Sequence, residues 1–124
     1  MAGEHAMDDG QKPVSIPARD TGETLDIEVQ SVAFLAKSLS DENRLRILLC
    51  ISQGKKAVGS VVEELGLSQP LVSHHLKELK RSLLVRIERS GPFIYYELSD
   101  PAILGVIAQL NTVAKNLLAT RITF

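Results

Sequence analysis

Tryptophan is absent from this 124-residue chain, cysteine occurs once, and aromatic residues make up only 4% of it. A lone Cys50 excludes an internal disulfide, and it fits a reducing compartment. Without tryptophan, the core has to be built from aliphatic side chains. No apolar run approaches the ~20 residues of a membrane-spanning helix. The first twenty residues are polar and acidic, unlike a secretory leader. These absences lead us to expect one small cytoplasmic domain with no membrane partner.

What is present is unevenly distributed. The net charge is −1, but residues 1–30 hold seven acidic against two basic side chains, a net of −5. Residues 31–124 hold twelve basic against eight acidic, a net of +4. Residues 1–23 carry Pro13, Pro17 and three glycines with no sustained apolar periodicity, so they are expected to be a disordered acidic tail. The folded domain is expected over 24–124.

Within that domain, apolar residues recur at near-helical spacing from Leu25 to Leu39 and predict a first helix. Ser40 is a suitable N-cap for a second helix, whose buried side would be Leu45, Leu48, Leu49 and Ile51. Val58 to Leu65 reads as a short third helix stopped by Gly66. Ser68 then caps a fourth, with Pro70 in its first turn, where a missing N–H costs little. Val72, Leu76 and Leu79 give that helix an apolar stripe, and Gln69, Ser73, His74, Lys77 and Lys80 a polar one. Leu84 to Arg89 alternates and Phe93 to Leu98 is β-branched and aromatic, so Ser90-Gly91-Pro92 joins a hairpin. A last helix over 101–119 carries Ile103, Ile107, Leu110, Ala114 and Leu117 along one side. Such a strip would be left wet on a monomer, so a homodimer is expected.

The order of four helices, hairpin and helix is that of a winged helix-turn-helix, mainly α with a small β-hairpin and dimeric through its first and last helices. Short polar side chains on the fourth helix let a backbone approach base edges in the major groove of double-stranded DNA. The hairpin is then a wing, with Arg86, Arg89 and Tyr95 as candidate phosphate or minor-groove contacts.

Three stretches resemble one family in particular. Leu39-Ser-Asp-Glu-Asn-Arg-Leu-Arg-Ile-Leu48 is similar to the second-helix signature of the ArsR/SmtB repressors. Leu65-Gly-Leu-Ser-Gln-Pro-Leu-Val-Ser-His-His-Leu-Lys-Glu-Leu79 resembles their recognition helix, and Glu88-Arg-Ser-Gly-Pro-Phe-Ile-Tyr-Tyr-Glu-Leu98 their wing. The resemblance implies a repressor that binds an inverted-repeat operator, with Gln69, Leu71, Ser73, His74 and Lys77 facing the groove. Leu71 departs from the small or polar residue usual there, which suits contact with a thymine methyl or a different operator. The family's thiolate metal site would fall on Ala57-Val58-Gly59, where both cysteines are missing. Its site on the last helix needs Asp and His, and the only carboxylate near that helix is its cap, Asp100. No metal or other cofactor is therefore expected, and the sequence names no inducer.

His74 and His75 are adjacent, so their side chains diverge by about 100° and do not readily chelate one ion. His74 is expected at DNA and His75 in packing. Cys50 is read as a buried, inert thiol, with a thiol- or redox-responsive role as the alternative. A winged-helix protein-interaction module without an operator is the competing class. No nucleophile–base pair or metal set supports an enzyme.

Overall fold

The structure, a computed structural model, describes residues 12–19 and 22–121, which divide into two compact units, Met1–Ser40 and Asp41–Phe124. In the first unit, strand β1 (Val14–Pro17) pairs antiparallel with strand β2 (Thr24–Ile27), in the register Val14 to Ile27 and Pro17 to Thr24. Helix α1 follows over Val29–Ser38. This corrects two expectations. The supposed unstructured tail over 1–23 contains a strand, and the predicted first helix over 25–39 gives up its first residues to that strand's partner. Alternation decides the matter: Leu25 and Ile27 share one face of β2 with Asp26 on the other, a period of two that a helix cannot use. The rest of the supposed tail, residues 1–11, 20 and 21, lies outside the described residues.

The second unit contains α2 (Glu42–Ile51), α3 (Val58–Leu65), α4 (Gln69–Arg81), a hairpin of β3 (Val85–Ser90) and β4 (Phe93–Leu98), and α5 (Ala102–Leu118). It is the expected winged helix-turn-helix order. Helix α2 is capped by Asp41, whose carboxylate accepts from the Arg44 N–H at 3.0 Å. Ser40, the expected cap, instead donates its hydroxyl back to the Lys37 carbonyl. Asp100 caps α5 by accepting from the Ala102 N–H at 2.8 Å.

The core is aliphatic, as the missing aromatics require. Ile47, Leu48 and Ile51 of α2, Val61 of α3 and Val72, Leu76 and Leu79 of α4 are fully buried. Leu49, expected inside, is exposed, and Ile47 is buried instead, in line with Leu48 and Ile51 on the side of α2 that meets α3 and α4. The hairpin is not attached by its covalent ends alone. Lys56, in the loop between α2 and α3, exchanges two backbone hydrogen bonds with Tyr96 of β4, at 3.0 and 2.8 Å.

The turn from α4 into the wing carries strain. The Leu84 N–H bonds to the Leu79 carbonyl and the Leu83 N–H to the Lys80 carbonyl, the double closure that seats the residue after a helix cap in the left-handed region. Leu83 occupies that seat with φ 69° and is 74% exposed. A β-carbon is costly there, and Leu83 gains little packing in return. Leu83→Gly is expected to raise stability by roughly 0.5–1 kcal/mol, measured by urea denaturation. An unchanged or lower midpoint would contradict this account of the turn.

Candidate nucleic-acid interface

Helix α4 is held with one side in and one side out. Gly66 ends α3 in the left-handed conformation, φ 66°, which turns the chain sharply. Ser68 restarts it as the N-cap of α4 and accepts from the Leu71 N–H at 3.3 Å. Val72, His75, Leu76 and Leu79 then point inward. Gln69, Ser73, His74, Lys77 and Lys80 are exposed.

At about 100° per residue, Gln69, Ser73, Lys77 and Lys80 fall within about 80° of one another. His74 flanks this stripe. Leu71 lies on its far border and is half-buried, so the structure does not bring it together with the other four. Lys80 was not among the candidate contacts drawn from the sequence. Its spacing from Gln69, Ser73 and Lys77 (i, i+4, i+8, i+11) is the signal that places it in line.

The two histidines have different surroundings. Their rings are tilted at 58° with centroids 5.5 Å apart, His74 in the open and His75 buried. His75 Nε2 lies 3.8 Å from Asp41 Oδ1, so α4 touches the cap of α2 at this point. The bond from the Arg44 N–H, aided by the nearby imidazole and opposed by desolvation, holds the Asp41 carboxyl below the ordinary 3.8.

The hairpin turns through Gly91 and Pro92, with Ser90 paired to Phe93. Gly91 takes φ 60°, the positive angle that the first position of a tight hairpin loop of this hand requires. Cross-strand pairing puts Arg86, Glu97, Glu88 and Tyr95 on one face and Arg89, Ile94, Ile87 and Tyr96 on the other. The three wing candidates are therefore split. Arg86 Nε is spent on Glu97 at 3.1 Å. Tyr95 lies under the Lys55 ammonium, 5.2 Å from its ring centre, and Lys55 also bonds Glu88. Arg89 stands near the tip. Among the described residues, Lys77, Lys80 and Arg89 make no ion pair, whereas Arg46, Lys55, Lys56, Arg81 and Arg86 each hold a carboxylate.

Cys50 is buried at the end of α2, with its thiol 3.6 Å from Glu64 Oε1. Glu64 is in turn gripped by Lys56 at 2.7 Å. Burial pushes the thiol above its ordinary 9.0; Lys56 pulls it down and Glu64 adds to the rise. The result is a protonated, sluggish sulfur at neutral pH. Among the described residues no three His, Cys, Asp or Glu side chains are grouped so as to hold a metal ion, and no helix is long and apolar enough to cross a membrane.

A turn-linked helix pair with a wet outer stripe and a two-stranded wing behind it defines a winged helix-turn-helix module. Comparison with known proteins places it more closely. Residues 41–86 match the model of the bacterial regulatory protein arsR family. The transcriptional repressor SdpR of Bacillus subtilis (strain 168) is 38% identical over 63 residues, covering 51% of this chain and 70% of that protein. The arsenical resistance operon repressor of Staphylococcus aureus is 32% identical over 84 residues, covering 68% and 81%. Among solved structures, a homodimeric winged helix-turn-helix DNA-binding domain from Mycobacterium bovis, a possible ArsR-family transcriptional regulator, superposes with a TM-score of 0.66 at 28% identity. That match covers 77% of this chain and 89% of the other. The chain belongs to the ArsR family, and it is a DNA-binding transcriptional regulator rather than an enzyme.

Proposed function

We propose that the chain is a cytoplasmic, homodimeric repressor whose two α4 helices enter successive major grooves of an inverted-repeat operator, ~34 Å apart. The observation that carries this reading is the continuous exposed stripe of Gln69, Ser73, Lys77 and Lys80 on a helix that is anchored in the core by the fully buried Val72, Leu76 and Leu79. Gln69, Ser73 and His74 are the groove-reading residues, Leu71 meets a thymine methyl at the edge of the contact, and Lys77 meets phosphate. Arg89 at the wing tip is the strongest wing contact. Arg86 and Tyr95 serve mainly to hold the wing's shape, since each is already engaged within it.

Dimerisation is supported from two directions. Val29, Val32, Phe34 and Leu35 of α1 are exposed, as are Leu104, Val106, Leu110, Val113 and Leu117 of α5. Apolar strips of this kind mark a subunit interface. The structural relative from Mycobacterium bovis is itself described as homodimeric. A signal would release DNA by favouring a dimer state in which the two reading helices are differently spaced. The buried, protonated state of Cys50 gives no support to a thiol switch, and the polar stripe on α4 disfavours a protein-docking module, whose groove would be apolar.

The test is a fluorescence-anisotropy titration against operator DNA recovered by selection from random sequence. Ser73→Ala combined with His74→Ala is expected to weaken specific binding about ten- to a hundredfold while the protein still sediments as a dimer. Unchanged specific affinity would refute this placement of the reading residues. A chain that selects no sequence at any salt concentration would refute the repressor itself.

A further inference from the structure

We infer that the amino-terminal hairpin β1–β2 is a dimerisation arm that lays its apolar face on a second copy of this chain. The inference rests on the homodimer proposed above and extends its interface. Residues directly opposite in an antiparallel pair share a face. The pairs Val14 with Ile27 and Ile16 with Leu25 therefore put four aliphatic side chains on one side of the hairpin. Val14, Ile16 and Leu25 are exposed and Ile27 is half-buried. The other side is polar, with the Ser15 hydroxyl donating to Asp26 Oδ1 at 2.7 Å and Thr24 beside them.

A two-stranded hairpin in water is marginal by itself and needs its apolar face covered. Three observations point to a second copy as the cover. The hairpin runs into α1 through a single residue, Glu28, so its aliphatic face and the exposed Val29, Val32, Phe34 and Leu35 belong to one continuous stretch of apolar surface-forming chain. Charge speaks against DNA as the occupant, because residues 1–30 carry a net of −5 and would face phosphates. Addition of a further strand at β1 is discouraged by Pro17, which has no N–H to offer. What the arm presents is a side-chain face, and the surface suited to it is the apolar helix surface that a second copy brings.

Two measurements on the full chain decide the matter. First, the photo-crosslinking residue p-benzoylphenylalanine is placed at position 16, and ¹⁴N- and ¹⁵N-labelled chains are unfolded in urea, mixed and refolded together before irradiation. Crosslinked peptides joining light to heavy nitrogen are expected; crosslinks confined to one isotope would show that the arm folds onto its own chain and would overturn the inference. Second, Ile16→Asp with Leu25→Asp is expected to weaken the dimer at least about tenfold by sedimentation equilibrium, while Thr24→Asp on the polar face shifts it less than about twofold. A wild-type dimer indifferent to the double substitution would also overturn the inference. If the double variant fails to fold, the isotope pattern alone decides. A wild-type chain that is monomeric at all concentrations would instead refute the homodimer, and the arm with it.

Discussion

Truncation of Leu76 to alanine is expected to remove about 3 kcal/mol of folding stability, a large share of the 5–15 kcal/mol of a typical domain. Leu76 is fully buried on the inner side of α4, between Val72 and Leu79, where α4 meets α2 and α3. The loss combines the forfeited burial of the removed side-chain atoms with a cavity in a close-packed core whose β-branched members, Ile47, Ile51 and Val61 among them, adjust poorly. The melting temperature of the variant should fall by roughly 10–20 °C, read by circular dichroism at fixed protein concentration. A fall of only one or two degrees would mean that the inner stripe of α4 does not form the core described above.

The second large effect concerns binding. Lys77→Ala with Lys80→Ala removes two cations per subunit that make no ion pair among the described residues. Under the proposed docking, with Lys80 meeting phosphate beside Lys77, this removes four phosphate contacts per dimer. The slope of log affinity against log salt should become shallower by about three to four, and affinity at physiological salt should drop on the order of a hundredfold for specific and random DNA alike. Arg86→Ala gives the contrast. Its guanidinium is engaged by Glu97, so its removal should change the slope by less than one. Equal effects from the two variants would show that the ion pairs of the wing open on binding and that the division between free and engaged cations has no consequence.

How legible these features were in the sequence depends on how local their causes are. The helix-turn-helix was readable because its signals lie within a few residues of one another: Gly66 to stop, Ser68 to cap, Pro70 in the first turn, then aliphatics at i, i+4 and i+7. The wing was readable because Gly91-Pro92 is a hairpin turn flanked by β-branched and aromatic residues. Two kinds of feature were not readable. The β1–β2 pair consists of two four-residue strands whose apolar residues make sense only once paired, and a helical pattern beginning nearby absorbed Leu25 and Ile27. The engagement of Arg86, Lys55 and Lys56 depends on strand register and loop path, which bring Glu97, Glu88 and Glu64 to them from 8 to 33 residues away. Ser40 and Asp41 are equally good caps, and only the backbone decides between neighbours.

The pair of backbone bonds joining Lys56 to Tyr96 has a mechanical consequence. Through it the wing root is fastened to the connection between α2 and α3, while α4 and β3 are joined by the closed turn at Leu83. The wing is thus held by main-chain bonds both to the α2–α3 connection and to the C-terminal end of α4, and it cannot be re-aimed against that helix without breaking some of them. In the proposed dimer, the motions left to a signal would then be the separation and the angle of two rigid reading heads.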